Sequence, residues 1–135
     1  MLLDDNDSAQ FMTFIESYND CFLRKDLEGL KQFYSPDKSL IYLDNHKGND
    51  TYQLDAHLGL LADFFENGKK TESGAVEPVS TEDLKVFSEG NAACLYFKVR
   101  YQSFPDPAVR TTMYIEKRNG EWKIIHVHCS FEPGQ

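Results

Sequence analysis

The chain has no long apolar run, no basic stretch and no cysteine pattern, and each absence closes off a class of protein. Nowhere do about 18 apolar residues follow one another, and the opening segment Met1-Leu-Leu-Asp-Asp-Asn-Asp7 is acidic; neither a membrane span nor a signal peptide is expected. Cysteines 21, 94 and 129 are odd in number and lack CxxC or CxH spacing. A disulfide framework or zinc ribbon is therefore not expected, no metal or other cofactor is called for, and a reducing, cytoplasmic setting is the expectation. Cations are also scarce: 14 Lys and Arg face 22 Asp and Glu, a net charge of −8. Nucleic acid requires clustered Lys and Arg to displace counterions, and Lys69-Lys70 is too short for that. Lys98, Arg100, Arg110, Lys117, Arg118 and Lys123 gather in the last third, but strand alternation would spread them over both faces of a sheet.

What is present is enough for one domain over residues 1–135, long enough to bury about 65–70% of the surface of its unfolded chain. The first half is helical in pattern. Ser8 can cap a helix whose apolar residues Phe11, Phe14, Ile15, Tyr18, Cys21 and Phe22 recur at spacings of three and four. Asp26 can cap a shorter helix bearing Leu27, Leu30, Phe33 and Tyr34, stopped by Ser35-Pro36-Asp37. Ser39–Asp44 is a short β-rich run, and Asp50 with Gln53 has the spacing of a capping box for a third helix with the stripe Leu54, His57, Leu58, Leu61, Phe64 and Phe65, ending near Asn67-Gly68. The second half predicts antiparallel strands over about 77–88, 92–104, 109–118 and 121–131, divided at Gly90-Asn91, Pro105-Asp106-Pro107 and Asn119-Gly120. Helices first and strands second indicate an α+β fold, with an antiparallel sheet wrapped over a helical layer.

The Asn119-Gly120 turn decides which side chains share a face. A two-residue type I′ loop places Met113 opposite His126; a three-residue loop with a bulge at Gly120 places Met113 opposite Ile125 and Tyr114 opposite Ile124. The second register is preferred, because it gathers Leu95, Phe97, Val99, Thr111, Met113, Ile125, Val127 and Cys129 toward the helices. It leaves Tyr96, Tyr114, Trp122, Ile124, His126 and His128 on an outer face that a monomer would expose.

Asn91-Ala-Ala-Cys94 at the start of the second long strand, and Arg118-Asn-Gly-Glu-Trp122 leading into His126-Val-His128-Cys129-Ser130, resemble the association, or hub, domain of calcium/calmodulin-dependent protein kinase II; Asp55-Ala-His57 adds a weaker correspondence. That domain lies within the nuclear transport factor 2-like (SnoaL-like) superfamily, and the resemblance spans nearly the whole chain. It implies a cone-shaped, cystatin-like fold with a pocket between helices and concave sheet, and subunits paired through the sheet, in some cases as rings. Val99 and Met113 stand where the resemblance would place pocket arginines, and Arg100 is one residue out of phase. The kinase part is absent: there is no glycine-rich phosphate loop, no His-Arg-Asp and no Asp-Phe-Gly.

Two readings of function follow. In the first, the protein is an oligomerisation module, non-catalytic, with a small-molecule pocket lined by Tyr18, Tyr34, Phe97, Val99, Tyr101, Met113, Val127 and Cys129, and an interface made by Tyr96, Tyr114, Trp122, Ile124, His126 and His128. Its partners are a second copy, as a homodimer or ring of dimers, and a small apolar ligand. In the second, it is an enzyme of the polyketide-cyclase or ketosteroid-isomerase type acting on a small apolar carbonyl compound. Asp44 and His57 would there form a dyad, since a carboxylate beside an imidazole holds it protonated and oriented, and a tyrosine (Tyr18, Tyr34, Tyr42 or Tyr101) would donate to the developing enolate. His126 and His128 have a two-residue spacing that could supply two metal ligands, but no third converges from the sequence. Cys129 has no basic neighbour on its face and is expected to be an inert, buried thiol.

Overall fold

The computed structural model describes residues 5–37, 40–44, 50–67 and 77–133, with the side chains of 5–7 and 67 set aside. Ser39, Gly68, Lys69-Lys70 and the first four residues lie outside the described residues. The order of elements is α1 (Asp5–Leu23), α2 (Leu27–Lys31), β1 (Ile41–Leu43), α3 (Leu54–Asn67), β2 (Val79–Glu89), β3 (Ala92–Tyr101), β4 (Phe104–Arg118) and β5 (Glu121–Phe131). Helices precede a five-stranded, curved, open sheet, the α+β arrangement that the segregated patterns predict. The strand order is β1-β5-β4-β3-β2, with β1 parallel to β5 and every other pair antiparallel.

The helices form where the apolar stripes fall, but their starts differ from two of the expected caps. Ser8 lies inside α1, which begins at Asp5. Asp26 does cap α2: the Gly29 N–H donates to its Oδ1 at 2.9 Å. That helix ends at Lys31, so Phe33 and Tyr34 lie beyond it, and Tyr34 instead bridges to Ile124 of β5. The expected box at Asp50 does not cap α3. The His57 N–H donates to the Gln53 carbonyl at 3.1 Å, while the Asp50 carboxylate accepts from the Asp44 N–H at 2.9 Å and ties the end of β1 to the approach of the helix.

The β4–β5 hairpin departs from both registers considered above. Asn119 (φ 52°) and Gly120 (φ 82°) are both left-handed, as a two-residue type I′ turn demands, and Arg118 pairs with Glu121. Six residues on, a bulge inserts Ile125 between the pairs Ile115–Ile124 and Tyr114–His126, so that Met113 faces Val127. One extra residue reverses the parity of the strand. Trp122 and Ile124 therefore point to the helices with Val127 and Cys129: Ile124 is fully buried, and the Trp122 ring packs against Phe11 of α1 with centroids 5.4 Å apart. The outer-face placement of Trp122 and Ile124, and the inward one of Ile125, are corrected by this bulge. Pro105-Asp106-Pro107, expected to divide strands, falls within β4; the ladder skips from the Tyr101–Phe104 pair to Val99–Val109, so these prolines interrupt no ladder pair.

The core lies between α1, the α2 region, α3 and the inner sheet face, built on Phe11, Ile15, Leu30, Tyr34, Leu61, Val86, Leu95, Met113, Ile115, Ile124 and Val127. Burial of a side chain of that size contributes about 1.5–3 kcal/mol.

Candidate functional site

The inner face carries a buried chain of polar groups supplied by five different elements. Tyr18, on the core stripe of α1, has its hydroxyl 2.5 Å from that of Tyr34; the Tyr34 hydroxyl in turn lies 2.9 Å from Nε2 of His57, on the core stripe of α3. All three residues are buried, His57 at 3% exposure. Tyr42 of β1 stacks on the His57 ring at 4.2 Å between centroids, and its phenol neighbours both Tyr18 and the Cys129 thiol of β5. Thr111 of β4 closes the series with its Oγ1 3.7 Å from the Cys129 sulfur.

Strand register explains the convergence. Tyr42, Val127, Met113 and Leu95 form one inward row across the sheet, and Cys129, Thr111 and Phe97 the next. Asp44 follows the last residue of β1 and, two residues from Tyr42, shares its face; it comes beside Cys129, since Leu43 pairs with His128. Its charge is felt there, raising the ionisation of Tyr18, Tyr42, Tyr101 and Cys129.

Burial is the first cause in every case. It pushes the Cys129 thiol and the Tyr101 phenol each up to about 12, and holds Tyr18, Tyr34 and Tyr42 well above the usual tyrosine range. His57 moves the opposite way, down to about 4, and burial is the whole cause. A carboxylate partner would raise it instead. The Asp44–His57 dyad is thus corrected to a Tyr34–His57 pair, with an imidazole that is neutral at physiological pH. Cys129 is an un-ionised thiol, unsuited to nucleophilic chemistry.

Of the expected lining, Tyr18, Tyr34, Phe97, Met113, Val127 and Cys129 are buried on the inner face, while Val99 and Tyr101 are half-buried there. Arg100 is turned outward onto Glu82 (2.9 Å) and Asp106 (2.8 Å), so it supplies no positive charge to the interior. Lys98 likewise pairs outward with Glu132 at 2.8 Å.

The outer face is a second feature. A row of directly paired positions crosses all five strands: Phe87, Cys94, Tyr114, His126 and Ile41, with Tyr96, Thr112 and His128 in the row beside it. Phe87 is 54% and Ile41 40% exposed. Neither was singled out from the sequence, although strand alternation from Tyr96 and Val86 places Cys94 and Phe87 on that face. Burial, then the neighbouring His128, lowers the ionisation of His126. Among the described residues no three metal-binding side chains come together, and no helix is long and apolar enough to cross a membrane.

A family model of the SnoaL-like domain matches residues 12–133. No curated protein matches the chain at a significant level. Solved structures do. A candidate dehydratase from the NTF2-like family of Streptomyces avermitilis superimposes with a TM-score of 0.78 at 17% identity, covering 96% of this chain and 99% of that one. A candidate calcium/calmodulin-dependent protein kinase II association domain from Xanthomonas campestris gives 0.68 at 16% identity, over 93% and 88%. A cystatin-like protein of unknown function from Nostoc punctiforme gives 0.69 at 12% identity, over 99% and 97%. At these identities the likeness is one of fold.

Proposed function

The chain belongs to the SnoaL-like family, and on that footing we propose that it is a non-catalytic small-molecule-binding module that works as a homodimer, or a ring of dimers, joined through the outer face of its sheet. The interior polar chain carries this reading. A core selected for stability alone would fill those positions with apolar side chains, because a buried hydroxyl costs about 1–3 kcal/mol wherever its bond is imperfect. Here three phenols, an imidazole, a thiol and a threonine hydroxyl meet in one place, drawn from α1, the segment after α2, β1, α3, β4 and β5. Local departures from apolar packing of this kind belong to sites. The test is calorimetric titration with benzyl alcohol as a neutral aromatic probe: saturable binding, weakened about fivefold or more by Tyr18→Phe, is expected, and absence of binding would contradict the reading.

The outer row supports the dimer. Phe87, Ile41, Tyr114 and Tyr96 would leave an apolar band facing water on a monomer, and a self-complementary sheet face is a common two-fold interface.

Asp44 favours the enzymatic alternative, since a carboxylate sharing an interior with Tyr18 could move a proton without His57. Exchange of the α-protons of cyclohexenone into D2O, lost in Asp44→Asn, would turn the reading to catalysis.

A further inference from the structure

We propose that the interior site is selective for a protonated organic amine, its apolar body among the tyrosine rings and its ammonium at the Asp44 end. This deepens the binding-module reading and rests on it.

The distribution of charge over the two faces of the sheet leads there. On β3, β4 and β5 the inward positions Ala93, Leu95, Phe97, Val99, Val109, Thr111, Met113, Ile115, Ile124, Val127 and Cys129 carry no cation, and the one strand cation that shares their parity, Lys117, pairs with Trp122 at the hairpin end of the sheet, away from Asp44. Three other strand cations point away: Lys98 pairs with Glu132 and Asp83, Arg100 with Glu82 and Asp106, Arg118 with Glu116. Lys117 is exposed at the hairpin end, its ammonium 5.6 Å above the Trp122 ring. Against this, the inner face receives a carboxylate from Asp44 beside Cys129, and Glu77 reaches the same end of the sheet, bonded to the Ser103 N–H and hydroxyl at 2.6 Å each.

The phenols and the thiol report the resulting field. Asp44 raises four of these groups, Glu77 adds to it at Tyr101, and among the described residues no cation lowers any of the five. His57 is neutral above about pH 4 and does not offset it. An anion entering this region would meet like charge at reduced dielectric. A cation would meet opposite charge and aromatic rings, whose faces attract ammonium groups. The ligand class is the reverse of the one that pocket arginines would select.

Three probes of nearly one shape separate the outcomes: benzylamine, benzyl alcohol and benzoate, titrated calorimetrically at neutral pH. Benzylamine is expected to bind about tenfold or more tightly than benzyl alcohol, with benzoate weakest, and Asp44→Asn is expected to shrink the amine's advantage to about twofold or less. Equal binding of amine and alcohol, strongest binding of benzoate, or an amine preference that survives Asp44→Asn would each overturn the inference while leaving the ligand site standing. Silence from all three probes, with near-ultraviolet circular dichroism showing folded protein, would remove both.

Discussion

His57 shows most plainly how burial sets chemistry in this protein. Its ionisation falls from 6.5 to about 4, so the unfolded chain binds a proton in a range where the folded one does not. The stabilisation from keeping it neutral is complete above about pH 6.5 and is lost as pH falls toward 4, an effect of about 3 kcal/mol at most. His57→Gln keeps a polar partner for Tyr34 and removes the titration. The stability gap between wild type and variant, measured by urea unfolding, is therefore expected to narrow by about 2–3 kcal/mol between neutral pH and pH 4. A gap independent of pH would contradict the assignment. The residues of the site were legible as residue types: Tyr18, Tyr34, Tyr42, His57, Tyr101 and Cys129 all draw attention in the sequence. Their pairing was not, because whether a buried imidazole meets a carboxylate or a phenol depends on ångström-scale packing that spacing does not encode.

At the scale of elements, α2 turns on a single glycine. Alanine would ordinarily favour a helix over glycine by about 1 kcal/mol, yet a Cβ at Gly29 would sit 2.8 Å from Cγ of Asp26 and 3.0 Å from the Cys21 sulfur. The clash falls on the carboxylate that caps the helix. Gly29→Ala is therefore expected to destabilise the protein by about 1–2 kcal/mol in thermal or urea unfolding, and a gain in stability would show that the cap is dispensable. The stripes of α1 and α3, the Asp26 cap and the position of the Asn119-Gly120 turn could be read from local chemistry, although the three-residue loop preferred there is not the two-residue turn the chain forms. The bulge at Ile125 could not: Trp122-Lys-Ile-Ile-His126 alternates plausibly in either parity. The choice goes to the arrangement that seats Trp122 on Phe11 and buries Ile124 while still bringing Val127 and Cys129 inward. The parallel pairing of β1 with β5 is likewise a long-range contact, invisible in a three-residue strand.

For the whole molecule, the proposed function assigns the inner face of the sheet to a ligand and the outer face to a second copy. His126 and His128 lie two residues apart on the outer face, opposite Tyr114 and Thr112 of β4 and beside Ile41 and Leu43 of β1, with Glu116 and Arg110 the nearest charged positions along β4. Burial already lowers His126, and apposition of a second copy would lower it further. The dimer is accordingly expected to be firm near neutral pH and to weaken as acid protonates the lowered His126, with the exposed His128 replaced in His128→Glu giving monomer at neutral pH. Sedimentation velocity at micromolar concentration checks both, and a monomer at every pH would end the dimer proposal.

The interior site itself is tested most directly by titrating benzylamine into isotope-labelled protein and following amide and aromatic resonances by NMR. The expected shifts centre on Tyr18, Tyr42, Tyr101 and Cys129, with Tyr96, Tyr114 and His128 unmoved. Shifts confined to those outer residues, or none at saturating probe, would contradict a ligand site between the helices and the sheet.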